Sequence, residues 1–329
     1  PTGKISKLWA DIDSKPFRIN KISAQLQQLS ALATQKIIGC HQVDIWLNHQ
    51  NKQGYAGVKI ANRQLDLKPI YRQPTPIEQL QVAVKWTDLD DAWLLETNRL
   101  TLKNVDAQGE AVLSVWLPKQ DMSAAQMQLS ANITQGNLAS VWRYVPWPSA
   151  GDDTLAWLKQ ALVSGVIERG DFLYEGVLLD SPKRPPSTMQ MHFKVKKGTL
   201  AYASEWPLLQ GLNADVDIYN RQLTVKAKNS QIYQSIARDI AAEISDLNEP
   251  KLRLKADLDT TGEDVMRLFK ETPLKQETAQ GVEESAKTAY LMDEMLPELI
   301  EEGRRILIFS QFTEMLALIE ARLKKDGTH

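Results

Sequence analysis

The chain alternates apolar and polar residues with a period of two, a rhythm that fits β-strands and excludes amphipathic helices over most of its length. The pattern is plainest in five places. Met127, Leu129, Ala131 and Ile133 alternate with Gln128, Ser130 and Asn132, and Met189, Met191, Phe193 and Val195 with Gln190, His192 and Lys194. Leu212, Ala214, Val216 and Ile218 alternate with Asn213, Asp215 and Asp217, and Leu223, Val225 and Ala227 follow across a turn at Asn220-Arg221. Leu252, Leu254, Ala256 and Leu258 repeat the pattern, and Ala111–Leu117 is an almost continuous apolar run. Successive side chains of a strand point to opposite faces, so each stretch carries one oily and one wet face. Connections as short as Tyr219-Asn220-Arg221-Gln222 imply antiparallel neighbours. The fold class expected is mainly β: a long meandering antiparallel sheet forming a repeating β-groove, with one short helix. The oily face needs a cover, which a second sheet, a packed helix or a bound apolar ligand could supply.

Helical signals are few before residue 284. Asp152–Val163 is the best candidate, with Asp152 or Asp153 as cap and Gly165 as stop. Leu155, Leu158 and Leu162 share one face of it, with Trp157 beside them. Residues 19–33 fit a helix nearly as well as a strand, and Pro182, Pro185 and Pro186 mark a loop between strands. Near Glu284 the pattern changes. Ser285 can cap a helix through Ala289, Met292, Leu296, Leu299 and Ile300. Ile306–Phe309 reads as a short buried strand, and Thr313–Lys325 as a second helix closed by Gly327. The chain thus divides into a β-groove segment (1–141), a helix-containing hinge (142–180), a second groove segment (181–283) and a small C-terminal α/β, helix-strand-helix fragment (284–329).

Composition removes several functions. Lys and Arg number 39 against 41 Asp and Glu, so no basic excess points to nucleic acid. One cysteine, Cys40, leaves no disulfide framework and no Cys-rich metal site, and it reads as a small buried residue beside Ile37 and Ile38. His41 and His49 lack metal-ligand spacing, His192 falls on the solvated face of its strand, and no metal or cofactor site is expected. There is no G-x-S-x-G elbow and no phosphate-binding G-x-x-x-x-G-K-[ST] loop. Asp90-Asp91 and Asp152-Asp153 are adjacent pairs that point apart in a strand, so no catalytic residue is expected. Trp142, Trp147, Trp157 and Trp206 flank the helix and the groove and read as packing residues. No run approaches the roughly 18 apolar residues that span a bilayer. The chain opens at Pro1, which suggests a fragment whose anchor stood upstream.

Several motifs occur in a long collinear order. Trp142-Arg143-Tyr144-Val145-Pro146 is followed by Ala156-Trp157-Leu158 with Ala161-Leu162, and then by Gly165–Gly176. Lys197-Gly198-Thr199-Leu200-Ala201-Tyr202 leads to Trp206-Pro207 and Leu212–Leu223. This order resembles the YhdP branch of the AsmA-like envelope proteins over about residues 1–280. The resemblance implies a protein of the cell envelope and periplasm, anchored to the inner membrane through a segment absent from this chain. It implies a partner too: phospholipid acyl chains, held in a hydrophobic β-groove that carries lipid toward the outer membrane. The tail is similar to the opening of the second motor lobe of Swi/Snf-type helicase-like ATPases, through Ser285-Ala286-Lys287, Leu296-Pro297-Glu298-Leu299 and Arg304–Leu316. The other motor motifs are missing, so neither hydrolysis nor nucleic-acid binding is expected of the main body.

Physics alone leaves the oily face open between a closed sandwich core and a lipid groove; the resemblance favours the groove. A strand of about seven residues spans roughly 23 Å at ~3.3 Å per residue. That is wider than one leaflet, about 15 Å of a hydrocarbon core of ~30 Å. Each buried methylene contributes ~0.8 kcal/mol. The lipid-contact candidates are Met189, Met191, Phe193, Val195, Leu212, Val216, Ile218, Leu223, Val225, Leu252 and Leu254.

Overall fold

The structure, a computed structural model, describes residues 2–15, 17–32, 39–67, 71, 73–177 and 187–273. The loop prolines 182–186, Ile37 and Ile38, and the helix-strand-helix tail expected over 285–327 lie outside the described residues. The described chain falls into two units, Pro1–Thr261 and one that begins at Gly262.

The first unit is a single sheet. Its strands are β1 (Thr2–Ser14), β2 (Phe17–Ala31), β3 (Gly39–Gln50), β4 (Gln53–Asp66), β5 (Thr75–Asp88), β6 (Ala92–Lys103) and β7 (Ala107–Pro118). They continue as β8 (Gln126–Asn137), β9 (Leu162–Val177), β10 (Thr188–Leu200), β11 (Leu209–Tyr219), β12 (Gln222–Ile232), β13 (Ser235–Ile244) and β14 (Leu252–Asp259). Among the described residues, these 14 strands lie side by side in chain order. Tight turns enforce this order. Asn51 (φ 55°) and Asn220 (φ 53°) open two-residue turns that close Gln50 on Gln53 and Tyr219 on Gln222. Asparagine tolerates the left-handed backbone that such hairpins need. Thirteen inter-strand steps of ~4.8 Å give the sheet a contour of about 60 Å across its strands.

Pairing register turns the period-two alternation into long apolar rows. One row runs from β4 to β14 through Ile60, Leu80, Leu102, Gly109, Ile133, Gly170, Phe193, Val216, Val225, Ala242 and Leu254. A second passes Leu100, Ala111, Ala131, Phe172, Met191, Ile218, Leu223, Ile244 and Leu252. The other face is mostly polar, with cross-strand pairs such as Arg99–Glu110 at 2.6 Å and Gln128–Glu175 at 3.1 Å, and it also exposes Val112, Leu173 and Tyr219.

Among the described residues no second sheet covers the apolar face. Even so, Val43, Ile60 and Ile240 on it are only 3%, 4% and 7% exposed, which a flat single layer could not achieve. The sheet therefore bends over its own oily side. Register shifts interrupt nine of the thirteen pairings. Four of these irregularities contain Gln28, Gln42, Lys197 and Asp239, all at positive φ. An extra residue on one strand bends that strand and increases its twist, so repeated bulges crease the sheet into a trough. No large side chain among the described residues is fully sealed, as expected of a trough rather than a closed core.

Some local expectations need correction. Residues 17–31 form a strand throughout, because pairing on both sides overrides the helical spacing. The helix α1 (Trp147–Ala161) starts before Asp152, and Gly151 (φ 73°, ψ 166°) breaks it where the cap was expected. Its end is Ala161, and Val163 already belongs to β9. Gly165 stops nothing: it sits in β9 at φ 137°, where an added Cβ would come 2.8 Å from Gly198 Cα. The second unit opens with an unforeseen helix, α2 (Gly262–Glu271), whose first turn carries Glu263 and Asp264. Acidic residues favour a helix N-terminus, and this was a readable signal.

Candidate functional site: an apolar trough and its polar clamp

β10 to β12 carry most of the candidate residues, and register brings them together. Met191 lies opposite Ile218, which lies opposite Leu223; Phe193, Val216 and Val225 form the parallel row. All six are partly accessible. Met189 belongs to a third row that passes Tyr174, Leu129, Leu113, Val84 and Leu47 toward β1. Leu212 stands opposite Gly198, near the end of β10. On the edge strand β14, Leu252 and Leu254 are 56% and 63% exposed. Val195 differs from all of these, being 4% exposed. The rows also recruit residues outside the lipid-contact candidates: Leu80, Leu102, Phe172 and the already noted Ile133 upstream, and Ala242 and Ile244 on β13, with Ile240 beside them. The β13 set alternates with Ala241 and Glu243, so its period was legible.

What covers Val195 is a 3-10 turn, Leu138–Arg143, that follows β8 and leads into α1. Leu138, Ile167 and Val195 form one buried cluster, with Val141, Leu162, Phe193 and Val216 packed around it. Leu138 settles over the Gly165–Gly198 contact: a Cβ added at either glycine would lie 3.1 Å or 3.5 Å from its Cδ2.

A buried carboxylate on the β6–β7 loop fastens the turn. Asp106 Oδ1 accepts from Ser140 Oγ at 2.7 Å, and its Oδ2 accepts from Tyr144 OH at 2.9 Å and Arg143 Nη1 at 3.0 Å. Asn104 Nδ2 donates to the Tyr144 oxygen at 2.8 Å, while Asn104 Oδ1 accepts the Asp106 and Ala107 amides. Burial opposes the Asp106 charge, but the hydrogen bonds from Ser140, Tyr144 and Arg143, with the guanidinium's charge, hold its carboxyl below the usual value. Burial, reinforced by the Asp106 carboxylate, pushes the Tyr144 phenol well above its ordinary value. The far end of the element is tied down too, through Trp157 Nε1 to Tyr202 O at 3.0 Å and Ala201 N to Ala161 O at 2.8 Å.

Comparison with known proteins places this architecture. The family model described as YhdP protein matches residues 1–288. The chain belongs to the YhdP family. The Intermembrane phospholipid transporter YhdP of Escherichia coli (strain K12) is 22% identical over 285 residues, covering 86% of this chain. The chain spans 22% of that relative's length. No solved structure matches it. In this YhdP-family chain the Arg143-Tyr144 pair, central to the sequence resemblance, proves to be the donor half of the clamp.

The hollows of this YhdP-family chain are open to solvent rather than enclosed. One of about 710 Å³ is lined by Glu110, Asp171, His192 and Asp217 together with Phe172, Met191 and Ile218 of the second apolar row. His192 was expected to be merely solvated, yet its Nδ1 lies 2.8 Å from Asp217 Oδ1. A smaller one, about 280 Å³, lies beside the clamp against Trp142, Arg143, Leu155 and Lys159. There Lys159 Nζ and Arg143 Cζ stand 5.1 Å and 5.5 Å from the Trp142 ring, a cation–π arrangement. No helix among the described residues is long and apolar enough to cross a membrane.

Proposed function

We propose that this chain is a segment of a periplasmic, inner-membrane-anchored phospholipid conduit, and that its trough binds acyl chains without catalysing a reaction. The observation that carries this is the partial accessibility of the apolar rows: eleven consecutive strands carry an oily stripe that no second sheet covers among the described residues. The relative's name supplies the cargo class. A contour of about 60 Å accommodates more than one tail laid end to end, given that a leaflet's hydrocarbon is about 15 Å deep. Tails would lie along Met189, Met191, Phe193, Leu212, Val216, Ile218, Leu223 and Val225, extending to Leu252 and Leu254. Such contacts are non-directional, so a lipid can slide from strand to strand without surrendering a specific bond at each step.

Purification in mild detergent followed by lipid extraction and native mass spectrometry tests this. The expected result is copurified phospholipid, reduced at least severalfold by Val216→Asp with Ile218→Asp in a chain that still folds. A folded parent free of phospholipid would sink the proposal.

A further inference from the structure

The turn over β8–β10 is more than a partial cover for the sheet. If the trough holds acyl chains, as proposed above, then everything seated on the apolar face competes with lipid for the same surface. Leu138 does this at one place, where it occupies the ground over Ile167 and Val195. To one side of that point along the strands, the Phe193 row packs against the edge of the cluster while staying partly accessible, and the Met191 row beyond it is partly accessible too. The Leu138 seat is also built rather than incidental. Two glycines on neighbouring strands leave the notch it fills, Asp106 grips the turn from the β6–β7 loop, and Trp157 fixes the far end of α1.

We propose that the Leu138–Arg143 turn is a wedge that narrows the trough part-way along its length. It excludes acyl chains from the Ile167–Val195 row and confines them to the rows of Phe193 and Met191. Leu138 is the positioning residue, and Asp106 holds it in place. A lipid moving along the trough is thus steered sideways at β8–β10, with the partly accessible Phe172, Met191 and Phe193 as its floor.

The experiment incubates the full chain with vesicles of a phosphatidylethanolamine that carries a diazirine in one acyl chain. Illumination and peptide mass spectrometry then map the adducts. The parent chain should be labelled at Phe172, Met191, Phe193 and Ile218, with tenfold less at Ile167 and Val195. Leu138→Ala should raise labelling at Ile167 and Val195 at least fivefold, while Leu138→Met, which keeps the bulk, should retain the parent map. Should the alanine variant fail to fold, Leu138→Val, which shortens the side chain, carries the same expectation at about half the gain. Equal labelling of both rows in the parent overturns the wedge, and so does an unchanged map when Leu138 is shortened. Absence of adducts from every row overturns instead the lipid-binding function on which the wedge rests.

Discussion

Val195 and Leu254 are apolar residues on the same face of one sheet, four strands apart, with opposite surroundings. Val195 lies under Leu138 in a cluster packed like an ordinary core, whereas Leu254 is 63% exposed on the edge strand. Sequence pattern does not separate them, since both alternate with charged neighbours. The difference comes from a chain segment that leaves the sheet after β8 and returns over it. Where that segment lies, the oily face serves stability; where it is absent, the same kind of face costs stability and is explained by what it can bind.

Introducing a charge at each position should expose this contrast most sharply. Val195→Asp buries a carboxylate among Leu138, Ile167 and Val216 with no cation in the cluster, and should cost about 4 kcal/mol. Urea unfolding would measure the loss. A change under about 1 kcal/mol would mean that the covered stretch is as loose as the bare one.

The next effect concerns the clamp. Asp106→Asn keeps the shape but removes the charge that Arg143, Ser140 and Tyr144 all serve. The guanidinium is half-exposed, so the loss should fall below the roughly 3–5 kcal/mol of a fully buried broken pair, at about 2 kcal/mol. The pH dependence gives a second readout. The folded-state value of Asp106 is depressed, so its contribution is complete above the ordinary carboxylate range, near 4, and is lost as pH falls through the lower folded value. Tyr144 is raised, so its contribution is complete below about 10 and is lost as pH rises from there. Asp106→Asn should flatten the acid limb of the stability profile and Tyr144→Phe the alkaline one. If both profiles keep the parent's shape, the clamp is not what fastens the turn.

These contrasts also mark where the sequence was readable. Alternation around Met191 and Phe193 revealed the strands and their oily face, because side-chain direction in a strand is fixed by covalent geometry. The antiparallel order followed from turns as short as Asn220-Arg221. The bend was hidden: Lys197 and Asp239 adopt positive φ inside strands, and nothing in a lysine or an aspartate announces a bulge. The clamp was hidden for a different reason. Asp106 sits in a loop 34 residues before Ser140, and such a partnership is set by tertiary packing. The Arg143-Tyr144 motif stood out as part of a family pattern, yet its chemistry became visible only once its acceptor was in place.

The smallest expected effect falls on β14. Leu254→Asp places a carboxylate on a residue already in contact with water, so the change in unfolding free energy should stay within about 0.5 kcal/mol. An inward-facing charge on an edge strand also discourages edge-to-edge pairing, which should leave solubility equal or better. Copurified phospholipid should fall only slightly, because the Phe193 row remains intact over the ten strands before β14. The same substitution at Val216, in the middle of that row and packed against the Leu138 cluster, should remove far more lipid and cost more stability than Leu254→Asp. Equal lipid loss at both positions would mean that occupancy is decided at the edge of the sheet; greater loss at Val216 places it along the trough's length.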